Sequence, residues 1–242
     1  MKAIAFISLL FVGLDICSQE KVSFYSSDSL KITADLYLNN YQSPFILLFH
    51  QSESSRGEYK SIAPKLQKLG YNCLAVDLRC GSKTNYIENE TAQRAHERYF
   101  PSRNIDALKD MEAAIAYIRK FNRNKVILFG SSYSASLALL IAKGLPEIQA
   151  VIAFSPGEYF RPEISIKDTI TGLSVPVFIA STEMEYNYVA EMLSGIDNKY
   201  KTLFKPEKGR GIHGAKALWE NSQDYDACWF QLTCFFGHLT KI

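Results

Sequence analysis

The chain has 242 residues, 47% of them hydrophobic, and a formal net charge of only +2. That length and apolar share suffice for one sizeable core. The near-neutral charge, with no lysine- or arginine-rich run, excludes the electrostatic footprint of a nucleic-acid binder.

The first twenty residues read MKAIAFISLLFVGLDICSQE. Lys2 precedes an apolar stretch from Ala3 to Leu14, too short to span a bilayer comfortably, and a polar break follows at Ser18–Glu20. This layout predicts a signal peptide over residues 1–18, export to the periplasm or beyond, and a single α/β domain over 19–242. Lipid attachment at Cys17 is the second reading, because Leu14-Asp15-Ile16 lacks the small residues such a site prefers. Cys73, Cys80, Cys228 and Cys234 remain after the leader. No CxxC pair or Cys/His cluster suggests zinc, so buried free thiols are expected.

KVSFYSSDSLKITADLYLN alternates around a polar turn and predicts a hairpin. SPFILLFHQ predicts a strand buried on both faces. YKSIAPKLQKLG has helical spacing and ends at Gly70, and YNCLAVDLR is another buried strand. Cys80 to Arg103 is polar and irregular, and reads as an excursion over the surface. NIDALKDMEAAIAYIRKF predicts an amphipathic helix with Ile105, Leu108, Met111, Ile115 and Ile118 on one face. Strands and helices then alternate: KVILFG, ASLALLIAKG, IQAVIAFSP, VPVFIAS, NYVAEMLSGI, KYKTLFKP and a final helix from Ala217 to Leu239. Such alternation predicts a mostly parallel sheet covered on both faces, with ligands at the carboxyl ends of the strands.

KVILFGSSYSASLALLIAKG, from Lys125 to Gly144, crowds small residues where a strand meets a helix. A nucleophile elbow needs that, because the residues two before and two after the exposed serine pack together. Ser131 fails, since Phe129 and Tyr133 would fill the crowded positions. Ser132, Ser134 and Ser136 pass on size. Position selects Ser132: the strand ends at Phe129, Gly130 supplies the turn, and Ser134 and Ser136 lie inside the helix. The bland reading of the same residues is a serine-capped helix.

A serine hydroxyl needs a base. His50 ends an earlier strand, His96 lies in the excursion and His238 in the last helix. His213, in the glycine-rich loop KGRGIHGAK after the last strand, is the candidate base. The acid that orients it should follow VPVFIAS; Glu185 is preferred, with Glu183 and then Glu158 as alternatives. The oxyanion hole is expected from the backbone N–H groups of Tyr133 and Gln51. Arg56 and Glu58 read as bracing the loop after Gln51 or capping the helix that follows, with substrate contact as a lesser alternative.

These residues resemble the α/β-hydrolase superfamily, and within it the dienelactone-hydrolase-like serine hydrolases. The resemblance rests on LLFHQSESSRGEY, NCLAVDLRCGS, ILFGSSYSAS, VPVFIAS and GIHG, and covers most of the chain after the leader. It implies an eight-stranded, mostly parallel sheet and hydrolysis of an ester-like bond through an acyl-enzyme. Ser132 would be nucleophile, His213 base, and Gln51 and Tyr133 the oxyanion donors. Three departures stand out. Serine replaces the cysteine of the dienelactone enzymes themselves, Ser134 replaces the usual glycine, and glutamate replaces aspartate as the acid.

The expectation is an exported serine hydrolase of small-molecule carboxylic esters, with peptidase or amidase action, or binding without catalysis, as alternatives. Residues 81–103 and 157–174, with Tyr86, Tyr99, Phe100, Tyr159 and Phe160, are expected to wall the pocket. No metal or cofactor is implied.

Overall fold

A computed structural model describes residues 18–207 and 209–239. The expected leader, whose last residue opens the first strand, otherwise lies outside the described residues, as does Cys17.

The predicted hairpin is strands β1 (Ser18–Tyr25) and β2 (Lys31–Leu38), paired antiparallel. β3 (Phe45–Phe49) follows, then a 3₁₀ turn (Arg56–Tyr59) and helix α1 (Ala63–Lys68). Pro64 sits in the first turn of α1, where its missing N–H costs nothing, and this delays the helix past Tyr59. β4 (Asn72–Val76) is next. The excursion proves structured. It holds a small hairpin, β5 (Lys83–Thr84) and β6 (Ile87–Glu88), and helix α2 (Glu90–Glu97), whose Asn89 cap accepts the Ala92 N–H at 2.8 Å.

α3 (Leu108–Arg119), β7 (Val126–Ser131), α4 (Tyr133–Gly144), β8 (Ile148–Phe154) and α5 (Ile166–Ile170) lead to β9 (Val177–Ala180). α6 (Tyr186–Met192), β10 (Lys201–Phe204) and α7 (Tyr225–Leu239) complete the described chain. The final helix starts later than its sequence suggests. Gly214–Leu218 forms a 3₁₀ turn, and Ser222 then bonds back to Trp219.

Eight strands form one sheet in the order β1-β2-β4-β3-β7-β8-β9-β10. From β4 to β10 every neighbour is parallel. Side chains alternate across it, as period-2 geometry requires. Phe45, Leu47, Val126 and Leu128 face one apolar layer with α3 and α4, while Ile46, Leu48, Ile127 and Phe129 face the other with α1 and α7. The register pairs Phe49 with Gly130, Ser131 with Phe154, and Phe154 with Ala180. The carboxyl ends of β3, β7, β8 and β9 therefore finish level, and the loops that leave them share one edge.

Charged groups hold the excursion to this body. Arg79, fully buried, reaches Asp110 on α3 at 2.7 Å, Asp28 in the first turn at 2.7 Å and the Pro101 carbonyl at 3.2 Å. Arg56 joins Asp77 at 2.5 Å to Glu90 at 2.9 Å. None of the four described cysteines forms a disulfide; Cys73 and Cys228 are buried as expected, but Cys234 is exposed.

Arg79→Met should lower folding stability by about 3–5 kcal/mol, because it strands the Asp110 carboxylate without its partner. Urea denaturation measures this, and an unchanged midpoint would refute the anchoring role.

Candidate active site

Residue Ser132 has φ +61° and ψ −124°, a conformation L residues rarely adopt. The surroundings enforce it. The Ser132 N–H donates to the Phe154 carbonyl at 2.8 Å. A Cβ on Gly130 would lie 2.4 Å from the Ala135 backbone, so only glycine fits under the turn. Ser134, in the position usually glycine, is fully buried and puts its hydroxyl to use: it accepts the Ser131 N–H at 2.9 Å and donates to the Phe49 carbonyl at 2.7 Å. Ser136 exchanges bonds with the Gly157 N–H and carbonyl, both at 2.8 Å. Of the four serines, Ser132 alone turns its hydroxyl outward.

His213 Nε2 lies 2.9 Å from Ser132 Oγ, and His213 Nδ1 lies 2.5 Å from Glu185 Oε1. The other Glu185 oxygen accepts from Ser155 Oγ at 2.7 Å and from the Thr182 N–H at 3.0 Å. Burial works to raise the Glu185 carboxyl, but these donors outweigh it and hold its pKa at about 2. The sequence alternatives point elsewhere. Glu183 is exposed, and Glu158 caps α5 by accepting the Ile166 and Lys167 N–H groups at 2.8 and 2.9 Å. His96 and His238 are exposed and remote in the fold, on α2 and α7.

Gln51 departs from its expected role. Its N–H donates to Glu58 Oε2 at 2.9 Å and is not free to receive an oxyanion. Its carbonyl accepts from His50 Nδ1 at 2.7 Å, and His50 Nε2 accepts the Leu78 N–H at 2.9 Å, which fixes the neutral tautomer with the proton on Nδ1. Burial pushes the His50 imidazole down to about 4, against the Gln51 carbonyl, so it stays neutral. Because a trans peptide directs its C=O and N–H oppositely, this bond also orients the next amide, that of Ser52. Among the described residues neither the Ser52 nor the Tyr133 N–H makes a hydrogen bond.

Glu58 is the residue whose reach the sequence concealed. It is fully buried. Oε1 accepts from Ser131 Oγ at 2.7 Å, and Ser131 Oγ in turn accepts the Ala215 N–H at 2.9 Å. Burial pushes the Glu58 carboxyl up, while the Ser131, Gln51 and Ser54 donors and the Lys216 charge pull it down. Gly214, at φ +75°, lets the His213 loop approach: a Cβ there would lie 2.4 Å from Gln51 Oε1 and 2.5 Å from Ser131 Oγ. The sequence points to Glu58 as a brace for its own loop; its reach to Ser131, and through it to Ala215, is what residue type does not encode.

Among the described residues, no group of three His, Cys, Asp or Glu could hold a metal ion, and no helix is long and apolar enough to cross a membrane. Met184 and Ile212, next in sequence to Glu185 and His213, stand exposed on two segments joined by the Glu183 N–H to Arg210 carbonyl bond.

A sequence model of the dienelactone hydrolase family matches residues 33–203. Among solved structures, an esterase from Pyrococcus furiosus superposes with a TM-score of 0.69 at 16% identity, covering 91% of this chain and 92% of that one. A dienelactone hydrolase from Anabaena variabilis gives 0.68 at 20% identity, over 91% and 97%. The esterase domain of a Rhodothermus marinus protein gives 0.62 at 14% identity, over 90% and 97%. No curated protein sequence matches the chain.

Glu58→Ala should lower stability by about 1–3 kcal/mol for each buried donor left unpaired, and Glu58→Gln, which keeps one acceptor, by less. Thermal denaturation of both variants tests this; equal, wild-type-like melting would remove the clamp.

Proposed function

The chain belongs to the dienelactone hydrolase family, and from that premise we propose that it hydrolyses carboxylic esters by way of an acyl-enzyme on Ser132. The observation that carries the reading is the unbroken line from Ser132 Oγ through the His213 ring to Glu185, at 2.9 and 2.5 Å. His213 Nε2 takes the serine proton as Oγ attacks the ester carbonyl, then gives it to the departing alcohol. Glu185 keeps the other ring nitrogen protonated and stabilises the imidazolium. Its pKa of about 2 leaves it ionised throughout the working range. Water then repeats the sequence and frees the acid.

The oxyanion is received by the Tyr133 N–H, at the first position of α4, and by the Ser52 N–H, which takes the place expected for Gln51. Met184 and Ile212, exposed beside Glu185 and His213, favour an ester with an apolar arm. Serine as the attacking group directs the reading toward simple esters and away from dienelactone itself. Export is part of the proposal on the layout of the leader alone.

The sign of the pH dependence follows from the depressed carboxyl. Glu185 contributes stability that is fully present above about pH 4.5, its ordinary value, and is lost as pH falls through about 2.

Fluorophosphonate labelling, with the modified residue mapped by mass spectrometry, should find Ser132. Ser132→Ala should abolish labelling and lower turnover of short-chain p-nitrophenyl esters by at least about 10³-fold while the protein stays folded. Label on Ser134 or Ser136, or undiminished turnover by Ser132→Ala, would overturn the assignment.

A further inference from the structure

A phenol that the ester mechanism above does not use touches its central atom. Tyr159 Oη lies 3.3 Å from Ser132 Oγ and 3.0 Å from the Ser155 carbonyl, to which it donates. The sequence suggests no more for Tyr159 than an aromatic wall.

Its position is built. The ring rests on Gly157, where a Cβ would lie 3.0 Å from ring atoms Cε2 and Cζ. Gly157 is bonded both ways to Ser136 inside α4, the Glu158 N–H donates to the Tyr188 hydroxyl, and the Glu158 carboxylate caps α5. The Phe160 ring meets the Tyr159 ring edge-on at 6.5 Å. The Ser155 carbonyl that receives the phenol belongs to the same residue whose hydroxyl holds Glu185. Burial raises the phenol pKa, as does the charge of Glu185, so the group remains a donor across neutral and mildly alkaline pH.

We propose that Tyr159 is a further catalytic residue, whose hydroxyl donates a hydrogen bond to Ser132 Oγ as the acyl-enzyme breaks down. The inference rests on Ser132 being the nucleophile. In that step water gives a proton to His213 Nε2 and adds to the acyl carbon. The Oγ–C bond then breaks, its electron pair passes to Oγ, and the Nε2 proton follows. Tyr159 keeps its own proton. Its O–H turns from the Ser155 carbonyl to Oγ and meets the charge developing there.

The contrast in acceptor strength makes this step the one that gains. An ester oxygen accepts weakly and a forming alkoxide strongly, so the bond is made mainly in the transition state. In acylation Oγ starts as a hydroxyl, already a fair acceptor, and the gain is smaller.

Tyr159→Phe keeps the ring on Gly157 and removes only the hydroxyl. With p-nitrophenyl acetate in stopped flow, the burst reports acylation and the steady rate deacylation, and mass spectrometry follows acetyl on Ser132. The variant should deacylate about tenfold more slowly, acylate within about twofold of wild type, and accumulate the Ser132 adduct. Unchanged deacylation, or acylation slowed as much as deacylation, would overturn the role of Tyr159 while leaving Ser132 in place. Absence of an acetyl-Ser132 adduct in both proteins, with ester turnover intact, would overturn the nucleophile assignment and this inference with it.

Discussion

A single buried carboxylate sets the geometry of the site. Glu58 takes the Gln51 N–H with one oxygen and the Ser131 hydroxyl with the other, and Ser131 passes the linkage on to the Ala215 N–H. Three loops are thereby tied one or two residues away from Ser52, Ser132 and His213. A carboxyl group in an apolar interior is tolerated only when its acceptor sites are filled, so none of these loops can drift without stranding it. The parallel strands bring the loops to a common edge; the carboxylate fixes them against one another. His50 completes the frame at the next peptide, holding the Gln51 carbonyl at 2.7 Å.

The second constraint is steric. Positive φ at Ser132 costs on the order of 1–3 kcal/mol, and the cost is met by fixed partners on both sides of the turn. Gly130 leaves room for Ala135, and the Phe154 carbonyl holds the Ser132 N–H. Ser134 shows how a residue larger than glycine is accommodated: its hydroxyl spans to the end of β3 and so binds the helix start to the neighbouring strand. The crowding of small residues between Gly130 and Ser136 thus serves three separate purposes, the tight turn, the strand-to-helix tie and the anchoring of Gly157.

Much of this was legible in sequence because it obeys local rules. Period-2 and period-3.6 patterns gave the sheet and helices, and the elbow followed from size at Gly130 and Ser134 together with an expected strand end at Phe129, although β7 runs two residues further, to Ser131. The remainder depends on directions that residue type does not encode. Whether Gln51 or Ser52 offers its N–H is decided by the orientation of two successive peptide planes: Glu58 occupies the Gln51 N–H, and the neighbouring His50 ring holds the Gln51 carbonyl and with it the Ser52 amide. Glu183 and Glu185 differ by two places in sequence, yet only Glu185 reaches inward, because the Thr182 N–H and Ser155 hydroxyl receive its second oxygen. Glu158 looks equally eligible until its oxygens are found capping α5. The hairpin and helix inside residues 81–103 escaped notice because buried charge organises them, with Arg56 and Arg79 replacing the apolar stripe that periodicity detects.

That mode of attachment shapes how such a protein can diversify. At the tip of the small hairpin Tyr86 is 92% exposed, and Tyr99 beyond α2 is 94% exposed. Neither side chain contributes to the two apolar layers, and neither touches the carboxylate that aligns the loops. Evolution can therefore change these outward positions one at a time while the loops tied by Glu58 keep their alignment. The outer face of the excursion is free to vary over a frame that is held still.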